Sequence, residues 1–184
     1  MTAAALRADC ARCAALCCVA LAFDRSSLFA FNKAAGEVCP NLDGCGRCRI
    51  HAAKAQAGFA GCAGYDCAGA GQRVTQEVFN GRSWREHPEL LAPMLRAFAV
   101  LRRVHELRLL LREAAKLPLT SAERETLRAF DDRLEPAGGW SEVSLAEAPI
   151  EEIAAHVRAF LMSLRRYVEG RRRTAQSSFE TGSP

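Results

Sequence analysis

Residues 94–116 read MLRAFAVLRRVHELRLLLREAAK, and this stretch decides the fold class. Met94, Phe98, Leu101, Val104, Leu107 and Leu111 recur at spacings of three and four, the period of one face of an α-helix. No glycine or proline interrupts the run, and Ala, Leu, Arg and Glu all favour helix. Leu109 and Leu110 widen the apolar stripe, which predicts a helix contacted from more than one side.

The flanks extend the same pattern. Pro118 stops the helix, and Ser121 can cap a shorter one through about Leu134, with Leu127 and Phe130 facing in. Pro136 to Gly139 reads as a turn. Ser144-x-x-Glu147 then heads a last helix whose stripe is Ile150, Ile153, Val157, Phe160, Leu164 and Tyr167. Gly170 with Arg171, Arg172 and Arg173 marks its end, where a helix dipole favours cations. Upstream, Arg73 to Phe79 suggests a short helix stopped by Asn80-Gly81. Ser83-x-x-Glu86 has the form of a capping box, Pro88 suits a first helical turn, and Pro93 predicts a kink or a restart. The expectation is an all-α chain with a helical bundle over residues 77–173, a disordered polar tail at 174–184, and a separate cysteine-rich, metal-binding module at 1–76.

Composition narrows the partners. The 184 residues carry a formal net charge of +4, which comes largely from arginine, since the only lysines are Lys33, Lys54 and Lys116. A nucleic-acid surface would interleave basic and aromatic residues more strongly, so nucleic acid is not an expected partner and Arg171–Arg173 reads as a solvated helix end. No run approaches the roughly 18 apolar residues of a membrane span. A protein partner is left open.

Residues 1–76 differ in kind. All nine cysteines, Cys10, Cys13, Cys17, Cys18, Cys39, Cys45, Cys48, Cys62 and Cys67, fall in the first 67 positions. Ala14 to Phe23 is as long as a signal-peptide core, yet cysteines crowd it and no small-x-small cleavage site follows. A cytoplasmic setting is therefore expected, where clustered thiols read as metal ligands or redox groups before disulfides. Nine is also an odd number for pairing.

Residues 3–22 have high helix propensity, which would put Cys10, Cys13 and Cys17 on one stripe. Seven residues of helix span about 10 Å, whereas the sulfurs around one zinc sit under about 4 Å apart. One zinc cannot then hold Cys10, Cys13, Cys17 and Cys18 together unless the helix breaks. Residues 24–46 and 61–71 are rich in turn formers and predict irregular backbone, with a short helical turn at 26–31 and two turns over 51–57 ended by Gly58. Cys39-x8-Cys48 and Cys62-x4-Cys67 supply four more thiols, enough for two four-coordinate zinc ions or an iron–sulfur cluster. Such a segment commonly folds only with its metal.

Cys10-x2-Cys13-x3-Cys17-Cys18, Cys39-Pro40-Asn41-Leu42, Cys48-Arg49-Ile50-His51 and Cys62-x4-Cys67 together resemble the YkgJ-type cysteine-cluster family, regarded as a zinc- or iron-chelating domain. The first group is also similar to that of flagellin lysine-N-methylases, and 60–76 to cysteine-rich leaders of actinobacterial pentapeptide-repeat proteins, although no pentapeptide repeats follow. The resemblance implies Cys10, Cys13, Cys17, Cys18, Cys39, Cys48, Cys62 and Cys67 as metal ligands, with Cys45, between Gly44 and Gly46, left over.

The favoured expectation is thus a metal- or iron–sulfur-binding protein rather than an enzyme, its metal structural or redox-sensing, its cysteine module metal-stabilised and docked on the bundle. Two rivals stand beside it: a protein lysine methyltransferase with the cluster as scaffold, and a metal-free thiol redox switch. No catalytic residue is assigned. His51 reads as a donor behind the ligands or a helix-start residue, His105 and His156 as half-buried or surface residues, and Asp24 and Asp66 as caps for backbone amides. Gly69-x-Gly71 lacks the third glycine and the preceding strand of a dinucleotide site.

Overall fold

A computed structural model describes residues 6–167 and Glu169. The expected tail at 174–184 and the Arg171–Arg173 helix end lie outside these residues. Among the described residues the fold is all-α, with helices α1 (Cys17–Ala20), α2 (Ala60–Gly64), α3 (Ala70–Arg73), α4 (Leu91–Ala114), α5 (Ser121–Leu134), α6 (Glu142–Glu147) and α7 (Ile150–Ser163). Extended pairing is limited to isolated antiparallel bridges, Phe23 with Lys33, Ser26 with Phe29 and Leu42 with Cys48. The Ser26–Phe29 bridge replaces the helical turn expected there.

The chain divides into two compact units. The first takes the residues up to Glu106 together with Gly138–Ala148, and the second takes Leu107–Ala137 with the chain from Pro149 on. Every residue of the apolar stripe of α4 is buried: Met94, Leu101, Val104 and Leu111 have no exposed surface and Phe98 and Leu107 almost none. Pro93 causes no kink, because it is the third residue of α4 and a first-turn N–H has no intrahelical partner to lose. The predicted widening at Leu110 fails, since that side chain is exposed. The face beside the stripe instead buries two polar residues, His105 and Arg108.

In the second unit, Thr120 rather than Ser121 caps α5. Its hydroxyl accepts from the Glu123 N–H while the Glu123 carboxylate accepts from the Thr120 N–H, a reciprocal capping box. Leu127, Leu134, Ile150, Ile153, Ala154 and Val157 are buried, and the Phe130 and Phe160 rings sit 5.7 Å apart. Arg108 is buried with Nε 2.8 Å from Asp131 and a second bond to Glu135. The last helix starts later than its capping pattern suggested. Ser141 caps the separate α6, which belongs to the first unit, and α7 begins at Ile150 after Pro149.

The first unit departs furthest from propensity. The helix expected over 3–22 breaks into a 3-10 turn at Cys10–Arg12 and the four-residue α1. Cys13 is extended, and Ala15 takes a left-handed φ of 55°. Tertiary hydrogen bonds account for the break, because side chains near α3 claim the backbone that a helix would have used. The Ala14 N–H donates to Thr75 Oγ1 at 3.0 Å, and Trp84 Nε1 donates to the Ala14 carbonyl at 2.7 Å. Gln76 donates to the Arg12 carbonyl at 2.9 Å, and Gln72 to that of Arg7 at 3.0 Å. Beyond α1, the Phe23 and Phe29 rings stack at 4.4 Å, and Phe59 meets Phe31 edge-on at 4.9 Å.

Candidate functional site

Cys17 and Cys18 open α1, and their sulfurs lie 3.9 Å apart. The segment 36–39 runs beside this turn, tied by two backbone bonds: Gly36 N–H to the Val19 carbonyl at 2.9 Å and Cys39 N–H to the Cys18 carbonyl at 3.1 Å. From Cys39 the chain turns back on itself. Leu42 N–H donates to the Cys39 carbonyl at 3.0 Å, Leu42 bridges Cys48, and Arg49 N–H reaches the Asn41 carbonyl at 2.8 Å. Cys62 lies in α2, anchored where Gly61 N–H donates to the Leu28 carbonyl at 3.1 Å. Gly61 is required there, since a Cβ would stand 2.2 Å from the Phe29 ring. Cys67 precedes α3 and accepts from Ala70 N–H at 3.0 Å.

Electrostatics sort these thiols into two neighbourhoods. Burial pushes Cys62 up, and the charges of Cys18, Cys39 and Cys48 add to it. Cys39 is likewise raised first by burial, then by Cys18 and Cys48, against the backbone N–H of Asn41. The second neighbourhood centres on Cys67. Cys13 is pushed up to about 11, mainly by burial and further by Cys67, although the Leu16 N–H works the other way. Cys10 is raised by burial first and also feels Cys67. Cys17 and Cys18 join the two sets. Their mutual hydrogen bond moves them apart: Cys17 is held up as a thiol donor, and Cys18 is pushed below an ordinary thiol, helped by Lys54 and Lys33 and opposed by burial.

Lys33 is the feature that the sequence reading passed over. Only 3 % of its surface is exposed, and its ammonium donates to the carbonyls of Leu21 at 2.7 Å, Ala34 at 2.9 Å and Val19 at 3.0 Å. All three donors are used, so a positive charge is fixed beside α1. Burial lowers its pKa, while the charges of Cys39, Glu37, Cys18 and Cys17 favour the ammonium. The available signal was the scarcity of lysine in an arginine-rich chain.

His105, expected to be half-buried or at the surface, is fully buried, with Nδ1 2.6 Å from the Ala68 carbonyl and Nε2 3.5 Å from Arg73. A carbonyl only accepts, so Nδ1 carries the proton. Its place beside Leu101, Val104 and Arg108 at helical spacing was legible as a buried face. The turn that His105 holds follows Cys67 and includes Ala68 at φ 50°; Asp66 caps it by accepting from Ala68 N–H at 2.7 Å, as expected. The Tyr65 hydroxyl is buried with no hydrogen-bond partner among the described residues; burial pushes its pKa up, and the charges of Cys17 and Cys67 add to that. Cys45 is an exposed thiol in a loop where Asp43 accepts from Cys45 N–H at 2.8 Å. With Cys13, Arg12, Ser83 and Arg85 it lines a cavity of about 140 Å³.

The metal expectation is corrected by this geometry. Among the described residues no group of three or more His, Cys, Asp or Glu side chains is gathered so as to hold a metal ion. Cys17 and Cys18 touch as neighbours on one turn, and no third donor joins them. Cys10 and Cys13 sit at the two ends of one 3-10 turn, Cys39, Cys48, Cys62 and Cys67 come from other short segments, and all nine cysteines are free thiols. The zinc or iron–sulfur cluster, the metal-stabilised module and the chelating role implied by the YkgJ-type resemblance are therefore set aside. The earlier reason for dividing the ligands also falls, since the helix that would have separated Cys10 from Cys17 does not form.

Among the described residues no helix is long and apolar enough to cross a membrane. The chain is 34% identical over 168 residues to a Bacillus subtilis (strain 168) protein, "Uncharacterized protein YybG"; the match covers 91% of this chain and 60% of that protein's length. No family model and no solved structure matches the chain.

Proposed function

We propose that this chain is a thiol-based redox switch in which Cys18 is the reactive group. The observation that carries the reading is the Cys17–Cys18 contact at 3.9 Å beside the fixed Lys33 ammonium. A thiolate, not a thiol, is the nucleophile, and nearby cations with a hydrogen-bond donor favour it. Either sulfur of the pair can donate, and the Lys33 and Lys54 cations favour Cys18 as the thiolate, which makes Cys17 its donor.

The oxidant class that suits such a thiolate is a hydroperoxide. The Cys18 thiolate attacks the terminal oxygen of ROOH, the S–O bond forms as the O–O bond breaks, and the alkoxide takes a proton and leaves as ROH. The resulting sulfenic acid condenses with a second thiol to give a disulfide and water, and a dithiol reductant reverses the step.

The pH profile of alkylation on the reduced chain tests the reading, with sites resolved by mass spectrometry. Only the thiolate reacts, so a lowered pKa moves the midpoint down. Cys18 is expected to titrate below the roughly 8.5 of an ordinary thiol, and Cys13 near 11. Lys33→Met, checked for folding by circular dichroism, should move the Cys18 midpoint up. An ordinary midpoint at Cys18 unchanged by Lys33→Met, with no sulfur oxidation by hydrogen peroxide, sinks the proposal.

A further inference from the structure

The geometry points to Cys39 as the thiol that resolves oxidised Cys18, so that the switch closes as a Cys18–Cys39 disulfide across the Lys33 ammonium. This rests on Cys18 being the reactive group, and adds which of the surrounding thiols it bonds.

Three observations single out Cys39. First, its N–H donates to the carbonyl of Cys18 itself at 3.1 Å, and three residues earlier Gly36 donates to Val19 at 2.9 Å. A direct backbone hydrogen bond brings these two residues side by side, and a disulfide needs their Cα atoms roughly 4.4–6.8 Å apart. Second, one fixed cation serves both thiols. Lys33 is six residues from Cys39 in the chain, and its ammonium is pinned to the carbonyls of Val19 and Leu21, one and three residues after Cys18. Cys39 is the strongest of the anionic neighbours that favour the charge on Lys33, and Cys18 is another. Third, the rivals are less suited. Cys17 is adjacent in sequence to Cys18, and a disulfide between neighbours on one helical turn would have to distort that turn. Cys48 and Cys62 reach the neighbourhood from a loop closure and from α2, with no backbone bond to Cys18.

The chemistry balances without a further reactant. Hydroperoxide oxidises the Cys18 thiolate to the sulfenic acid and leaves as an alcohol. The Cys39 sulfur attacks the Cys18 sulfur, the S–S bond forms as the S–O bond breaks, and hydroxide leaves with the thiol proton as water. The product takes the Cys18 and Cys39 sulfurs out of titration, leaving the Lys33 ammonium held by carbonyl oxygens and favoured by the Glu37 charge.

The test uses the full chain, reduced, exposed briefly to one equivalent of hydrogen peroxide, quenched with N-ethylmaleimide and mapped by non-reducing peptide mass spectrometry. The expected product is a Cys18–Cys39 crosslink. In Cys39→Ser, Cys18 should persist as sulfenic acid, with dimedone labelling up about tenfold because the neighbouring thiol is gone. Cys48→Ser and Cys62→Ser should leave labelling at the level of the unaltered chain and also serve where Cys39→Ser fails to fold. A dominant crosslink from Cys18 to Cys17, Cys48 or Cys62 overturns the pairing while leaving Cys18 reactive. Absence of both crosslink and dimedone adduct at Cys18 overturns the pairing and the redox function together.

Discussion

The second unit and the cysteine-bearing turns of the first hold their chains by different means. In the second, α5, α7 and the end of α4 bury a continuous set of aliphatic side chains, from Leu107 and Leu111 to Ile153 and Val157. In the cysteine-bearing part of the first, Gln72, Thr75, Gln76 and Trp84 hold residues 7–14 by bonds from side chain to backbone, and Lys33 holds α1 and its C-terminal end by two more, to Val19 and Leu21. Area burial is shared among many residues, so loss of one side chain leaves a cavity felt across the unit. A hydrogen-bonded clamp is local, and its loss opens one turn. The difference teaches where a reactive group can be placed. A thiol that must change its bonding belongs on backbone that can give without unfolding a core.

The largest effect should come from the packed unit. Leu111 is fully buried near the end of α4, and Leu111→Ala is expected to cost about 2–5 kcal/mol by transfer and cavity terms. Urea unfolding followed at 222 nm measures it, with Cys39→Ser as the comparison from the loop, expected to cost much less. Equal costs for the two would erase the distinction between the units.

A second prediction sharpens the comparison inside the first unit. A Cβ on Gly71 would lie 2.5 Å from Cys13 Sγ and 3.7 Å from Phe98. Gly71→Ala therefore overpacks, at about 1–3 kcal/mol, against a helix-propensity gain of up to about 1 kcal/mol. Cys13→Ala removes the sulfur in the way, so the double variant should recover most of the loss. If Gly71→Ala is neutral on its own, the contact between the residue 13 turn and α3 is loose and the clamp is not what orders that turn.

The same contrast explains what the sequence disclosed. The α4 stripe was legible because packing follows a period of three and four, and every predicted member is buried. Propensity also favoured a helix over 3–22, but it reports the cost of helix alone and not the Thr75 and Trp84 bonds that reach residue 14 from more than sixty positions away. The cysteine set was visible as composition, whereas its chemistry depended on which thiols meet. Spacing suggested eight ligands, yet the described side chains gather no metal-holding group. Lys33 was missed because its role is made by a carbonyl twelve residues away, on Leu21; the burial of His105 was legible in its helical spacing, but its bond to the Ala68 carbonyl was not.

The smallest effect belongs to a polar contact in the packed unit, where local bonds should count for less. Thr120 Oγ1 accepts from Glu123 N–H at 3.3 Å, and the Glu123 carboxylate accepts from Thr120 N–H and from the Tyr167 hydroxyl at 2.8 and 2.7 Å. Thr120→Ala removes one cap acceptor and the hydroxyl's own bond to the Glu123 carboxylate at 3.0 Å, and is expected to cost roughly 0.5–1 kcal/mol. The Thr120 N–H, joined by Tyr167, holds the Glu123 carboxyl down to about 2. A depressed carboxylate adds stability above its unfolded pKa of about 4.3, and that contribution fades as pH falls toward 2. The backbone N–H survives in Thr120→Ala, so a carbon-13 titration should still place Glu123 well below an ordinary glutamate. Were Thr120→Ala to match Leu111→Ala, or to return Glu123 to an ordinary value, the second unit too would depend on local clamps.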